Sequence, residues 1–351
     1  MSWDIAWILL ANGLASGAVY LLAGLGLVLV FSVTRVVFVP FGDIAAFAAL
    51  SLAALETGHL PATVPMVALL ALAVTLVELG AAWRRGGLAA WPRIVLGWGV
   101  APLLPCALAW ALAGHQAPPM LQVAAAVLLV VPLAPLLARL ALQPIADAST
   151  LVLLIVSLAL HFLLAGLGLL FFGPEGVRTH ALVQGAVRLT SSFSISAQTV
   201  LMIACAVVLS GLLYLLFEHT ATGKVLRATA VNRVGARLVG IRPARTALQA
   251  YALASVLAGL IGVLIAPVAT VYYDSGFLIG LKAFVAAIFG GLTSFPLTAL
   301  GAVAVGVAES FASFWNGALK DVLVFSLLIP VLLARSWLGR HAPEETEEIE
   351  A

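Results

Sequence analysis

Apolar residues run through this chain in long blocks, separated by short polar connections. The blocks lie at 5–31, 38–56, 63–83, 94–113, 121–142, 150–172, 198–217, 247–271, 279–292, 297–315 and 320–336. Most have the roughly 20 residues a helix needs to cross a bilayer. The pattern therefore predicts an all-α, polytopic transmembrane bundle of about 10–11 hydrophobic segments. The blocks at 38–56 and 279–292 are short or interrupted, which marks them as candidate re-entrant segments. The longest polar interruption, Phe217–Arg245, holds Lys224, Arg227, Arg233, Arg237, Arg242 and Arg245. Within it Val231, Val234, Leu238 and Ile241 recur at intervals of three, four and three. That spacing predicts one short helix with an apolar face, with Arg233 and Arg237 one turn apart on another face.

Composition confirms the class. The chain is 63% hydrophobic and only 9% charged, against about 25% charged in soluble domains. A net charge of +2 confined to loops has no nucleic-acid meaning. Thirteen of the seventeen basic residues, namely Arg35, Arg84, Arg85, Arg93, Arg139, Arg335, Arg340 and the six above, fall in loops on one side if the N-terminus is outside. Arg178 and Arg188 fall on the other side, and Lys282 and Lys320 read as span-end residues. Positive charge is retained in the cytoplasm, so the N-terminus is predicted outside and the C-terminus inside. Asp4 and no basic residue precede the first apolar run, which is too long for a signal peptide core and reads as the first span. Residues 1–341 form the expected membrane unit, and 342–351, APEETEEIEA, a disordered acidic cytoplasmic tail. The connection 173–197 reads as a solvated outer loop, and Cys106 and Cys205 as small hydrophobes in apolar runs.

Candidate chemistry is sparse. Pro40 and Gly42 precede Asp43, and Gly290 and Gly291 precede Thr293, Ser294 and Pro296. Interrupted segments of this kind point to a transport path, although they also suit plain helix ends. Glu309 lies within a span, where a carboxylate needs a partner or a wet cavity. Gly42, Asp43, Gly290, Gly291, Thr293, Ser294 and Glu309 are therefore the candidate path residues. His161 reads as a helix-packing hydrogen bond, and Glu78 as a structural group near a span end. Gly13–Gly17 and Ala302–Gly306 have the four-residue spacing of close helix contacts. ATGKVL at 221–226 lacks the first glycine and the hydroxyl residue of a phosphate-binding loop. No catalytic constellation or metal-ligand spacing appears, so no cofactor and no enzymatic activity are expected of this chain. Transport is the default reading. An ion-gradient-driven secondary transporter, with Glu309 and His161 as coupling groups, and a non-transporting scaffold are the rivals.

TGKVLRATAVNRVGARLVGI (222–241), GLKAFVAAIFGGLTSFPLTALGAVAVGVAESF (280–311) and ALKDVLVFSLLIPVLL (318–333) follow one another in an order and spacing that resemble the branched-chain amino-acid permeases of bacterial ABC importers. NGLASGAVYLLAGLGLVLVFSV (12–33) resembles the first span of that family, and ARLALQPIADASTLVLLIVSL (138–158) its middle turn. The chain departs from it at FVPFGD (38–43), where the family carries an Asn-Phe-Ala-His-Gly-like string, and at Gln143–Pro144, where it carries Arg-Pro. Residues 78–118 look like an extra hairpin. The resemblance implies an inner-membrane permease subunit that moves branched-chain amino acids; relatives also carry urea and short amides. It implies cytosolic ATP-binding subunits that use the ATP, a second permease subunit (related or identical), an extracytoplasmic solute-binding protein and membrane lipid as partners. By the same resemblance 222–241 is the coupling helix, with Arg227, Asn232, Arg233, Arg237 and Gly240 at the ATPase contact.

Overall fold

The computed structural model describes residues 3–86, 88–115, 117–190 and 193–339; the predicted tail at 342–351 lies outside the described residues. Each of the eleven apolar blocks is helical over most of its length. In chain order the helices are α1 (Trp3–Thr34), α2 (Phe41–Glu56), α3 (Thr63–Arg84), α4 (Trp91–Ile94), α5 (Ala101–Leu112), α6 (Pro119–Val130), α7 (Leu133–Leu137) and α8 (Thr150–Phe172). They continue with α9 (Ala197–His219), α10 (Ala221–Val231), α11 (Arg233–Leu238), α12 (Pro243–Ile265), α13 (Ser275–Phe289), α14 (Phe295–Trp315), α15 (Lys320–Ser326) and α16 (Leu328–Gly339). A π-helical turn at Val95–Val100 joins α4 to α5, giving one apolar rod over Trp91–Leu112. Pro119–Ile145 is a second composite rod. Among the described residues eight helices are long and apolar enough to cross a membrane. The other apolar blocks are shorter: α2 has 16 residues, α13 has 15, and the last is split into α15 and α16.

Two long-range contacts explain how so apolar a chain specifies one arrangement. Helices dispersed in lipid gain nothing from hiding one oily face against another, so close backbone packing has to hold them. The two small-residue pairs found in the sequence are opposite halves of one such crossing. A methyl group added to Gly13 would fall 2.7 Å from the Val307 Cα, and one on Gly17 would fall 3.1 Å from the Ala302 carbonyl oxygen. One on Gly306 would collide with the Gly13 carbonyl and the Gly17 amide. This crossing of α1 and α14 is the first contact. The second involves α2, in which Phe41 to Ala53 are all buried. Its flank meets α12 where Gly262 lies against the Ala45 carbonyl, leaving no room for a side chain.

The first and last thirds are also tied by charge. Lys282 lies within α13 and is 6% exposed, which corrects its expected place at a span end: the helix begins at Ser275, four residues before the apolar run used to place it. Its ammonium forms an ion pair and hydrogen bond with Glu309 on α14. It also lies 2.8 Å from Asp321 Oδ1 on α15, close enough for ionic attraction although that oxygen is poorly aligned as a hydrogen-bond acceptor. The Tyr20 hydroxyl of α1 donates to Glu309 Oε2 at 2.5 Å. One cation and a phenol thus compensate two carboxylates and join four helices. At the other flank Arg139 makes a two-pronged pair with Glu78, both contacts 2.8 Å. It also donates to Gln143 (2.7 Å), whose amide reaches the Ala244 carbonyl at 2.9 Å.

The connection 173–197 is more ordered than a solvated loop. It contains the hairpin β1 (Ala186–Thr190) and β2 (Phe193–Ser196), the one strand pair among the described residues. Its first part is clasped to the α12–α13 connection by reciprocal bonds between Val177 and Val271, each 2.9 Å, and by Arg178 Nε donating to the Pro267 carbonyl at 2.9 Å.

Two outcomes follow. Gly306→Leu forces a branched side chain into backbone, and should lower the stability of the purified chain by more than about 3 kcal/mol. Gly211→Leu, where nothing lies within 4 Å of the added carbon, should leave the unfolding midpoint in detergent unchanged. Lys282→Met strands two carboxylates and should cost about 3–5 kcal/mol. Adding Glu309→Gln should recover part of that loss in the same unfolding assay.

Candidate functional site

Six cations of the sequence are gathered at one end of the bundle, in a segment whose local chemistry splits it in two. Thr220 caps α10, its hydroxyl accepting from the Gly223 amide at 3.0 Å. Gly223 then lies against the Leu216 carbonyl and Phe217 backbone, an approach that admits no side chain. Leu226 is fully buried beside Leu29, Val33 and Ala250, and so seats α10 on α1 and α12. The expected single helix over 222–241 ends at Val231. Asn232 is extended (φ −149°, ψ 105°), and its carboxamide oxygen accepts from the Gly235 amide at 2.8 Å to start α11. Asparagine competes well for such a cap, and the cap outweighs the apolar periodicity that had joined Val231 to Val234. Gly240 closes α11 at φ +85°, with Ile241 N–H bonded to the Ala236 carbonyl at 3.0 Å. This is the left-handed turn glycine supplies at a helix end.

The five predicted coupling residues therefore divide by role. Asn232 and Gly240 shape α11. Arg227 donates to Glu218 at 2.6 Å. Arg233 reaches back to the end of α1, where its Nε and Nη2 both donate to the Val33 carbonyl, at 3.2 and 3.0 Å. Partial burial draws the Arg233 pKa below the ordinary guanidinium value, with Asp147 acting in the opposite sense. A guanidinium starts so high that it keeps its charge. Arg237 stays exposed. Around it Val231, Val234, Leu238 and Val239 are 67–84% exposed, an apolar surface left uncovered on a basic segment. Ala236 alone of α11 is buried.

The candidate path residues do not form one group. Gly290, Gly291, Thr293 and Ser294 make the α13–α14 turn. There Gly291 and Leu292 both take φ +62°, and Thr293 lies near Arg35 and Arg227 at the basic end. Glu309 belongs to the ion network described above. Gly42 and Asp43 lie elsewhere, in the first turn of α2. Residues 35–40 lead from the end of α1 back into the bundle, and the Val39 amide donates to Ser157 Oγ of α8 at 2.9 Å. This brings the start of α2 against the start of α13. Gly42 and Gly276 press backbone on backbone, and Gly280 N would lie 3.0 Å from a methyl on Gly42.

His161, at the middle of α8, meets this crossing. Its Nδ1 lies 2.7 Å from Asp43 Oδ2, and its ring stacks on Phe277 with centroids 4.5 Å apart. The expected helix-packing hydrogen bond is present, with a carboxylate as its partner. Asp43 is fully buried, and its second oxygen, Oδ1, has no hydrogen-bond partner among the described residues. Two helix N-termini converge here, so the local backbone dipoles favour negative charge. Broken helices that start inside a bundle are a common way to build a solute path. Asp43 and His161 stand 118 positions apart, and nothing local in the sequence pairs them. Among the described residues no three His, Cys, Asp or Glu side chains come together as a metal site.

Comparison with known proteins identifies the family. No solved structure matches the chain significantly. The high-affinity branched-chain amino acid transport system permease protein LivH of Salmonella typhimurium (strain LT2) is 31% identical over 215 residues, 59% of this chain and 70% of that protein. LivH of Escherichia coli (strain K12) is 30% identical over the same shares. The permease protein BraD of Pseudomonas aeruginosa is 39% identical over 140 residues, 38% of this chain and 45% of its own length. The profile described as "Branched-chain amino acid transport system / permease component" matches residues 9–332. This multi-pass membrane chain belongs to that permease family of ABC transporters.

Proposed function

We propose that the chain is the membrane-spanning subunit of an importer for branched-chain amino acids in the bacterial inner membrane, with its basic end in the cytoplasm. ATP is bound and hydrolysed by separate cytosolic subunits, a binding protein outside delivers the solute, and a second permease subunit completes the path. The observation that carries this reading is the construction of α11. It presents an uncovered apolar and basic surface to solvent, while Arg233 fastens it to the last turn of α1. An amphipathic helix with such a face suits a groove on a partner. A short helix bonded to the end of a long one can pass the partner's movement into the bundle. Residues 35–40 lead from that end of α1 to Gly42, so its displacement is passed to the contact between Gly42 and Gly276.

The division of labour between the two arginines sharpens the coupling role. Arg237 contacts the motor, and Arg233 transmits its movement. Arg237→Glu should weaken co-purification of the ATP-binding subunits. Arg233→Gln should leave their association intact yet lower uptake per ATP hydrolysed about tenfold, because it removes a charged, two-pronged hydrogen bond. The decisive assay is uptake of labelled leucine, isoleucine or valine into proteoliposomes. It should require ATP, the ATP-binding subunits and the binding protein together. Uptake by the permease alone under a proton gradient would instead support the ion-coupled reading.

A further inference from the structure

Two connected openings lie at the basic end, bordered by Arg227, Asn232 and Arg233 of the coupling segment and by Thr293, and they extend past these residues into the bundle. The larger is a slot of about 780 Å³ between α1, α9, α10 and α14, walled by Leu21, Leu25, Val207, Leu213, Phe217 and Phe295. The Phe217 and Phe295 rings meet across it with centroids 5.4 Å apart. Its outer wall is open: Val207 and Tyr214 are 65% and 64% exposed, and in a membrane they face hydrocarbon. The smaller opening is a crevice of about 240 Å³ lined by Asn232 and Arg233. It shares Ser32, Arg35, Ala230 and Val231 with the slot. An oily trough thus runs along the bundle and ends in a polar mouth.

The mouth is basic. Arg35 is exposed, and its guanidinium makes no hydrogen bond or ion pair among the described residues. It also occupies φ 61°, a left-handed conformation that asparagine or glycine adopts more cheaply than arginine. Arg227 faces it with one nitrogen on Glu218, and Arg233 with two on the Val33 carbonyl. Each therefore keeps further N–H donors free. Three guanidinium groups stand against two carboxylates, Glu218 bonded to Arg227 and Asp147 acting on Arg233 from further off. Basic pockets between spans near a membrane surface are the usual seat of anionic headgroups.

We propose that this compound cavity binds an anionic glycerophospholipid, with an acyl chain in the slot and the phosphate at Arg35. A free anion would leave the oily trough empty. A polar amino acid has no partners there, and a soluble ATPase meets the mouth from the aqueous side without reaching the slot. The inference requires that the bundle span a membrane; it does not require that α11 couple to an ATPase. Its test and the uptake assay above therefore fail independently.

The experiment is native mass spectrometry of the full-length purified chain. It is titrated with phosphatidylglycerol or with phosphatidylcholine bearing the same acyl chains. The wild-type chain should retain phosphatidylglycerol preferentially. Arg35→Asn, chosen because asparagine tolerates the left-handed backbone, should lower that retention about fivefold, the worth of one arginine near a membrane surface. Ser210→Phe, which fills the slot, should lower it as well. Equal retention of the two lipids by the wild-type chain would overturn the proposal without reference to any variant. So would unchanged retention in a folded Arg35→Asn chain, or displacement of the lipid by millimolar inorganic phosphate.

Discussion

At the centre of the bundle the decisive contact involves no side chain. Gly42 and Gly276 lie backbone against backbone, each filling the space where the other would carry a Cβ atom. That approach lets two helices, α2 and α13, begin against one another inside the bundle. Its cost is a set of backbone amides and carbonyls that must find partners away from water. Ser157 receives the Val39 amide, and Asp43 and His161 face each other in the first turn above it. These three side chains gather at the crossing.

The buried charges obey the same constraint. Lys282, Glu309 and Asp321 would each be expensive alone in an apolar bundle. Together with Tyr20 they compensate one another and connect α1, α13, α14 and α15. Glu78 and Arg139 do the same on the opposite flank, and Gln143 extends that pair to the start of α12. The carboxamide of Gln143 supplies both the acceptor and the donor of that link.

Much of this was legible in the sequence, because burial in lipid writes a strong signal. All eleven apolar blocks became helical over most of their length, and Gly13–Gly17 and Ala302–Gly306 proved to be partners. What the sequence concealed were contacts between distant residues. Arg233 reads from the sequence only as an ATPase contact, because the Val33 carbonyl that binds it stands 200 positions away. The apolar periodicity across 222–241 predicts one helix, and the cap that Asn232 makes on the Gly235 amide divides it. Lys282 was placed too near a span end because polar residues at 272–275 hid the true start of α13. The seven candidate path residues fall in three separate places, a division that spacing along the chain does not carry.

The clasp between Val177 and Val271 gives the bundle a second point of purchase. Residues 266–274 run from the end of α12 directly into the first turn of α13, so whatever settles on the loop and hairpin at 173–196 pulls on the same strap that positions Gly276. Arg233, on the opposite face, acts on the end of α1, from which residues 35–40 lead to Gly42. The two glycines thus hang from separate cords, one held by the clasp at Val177 and the other by Arg233, and the two cords meet at the same joint.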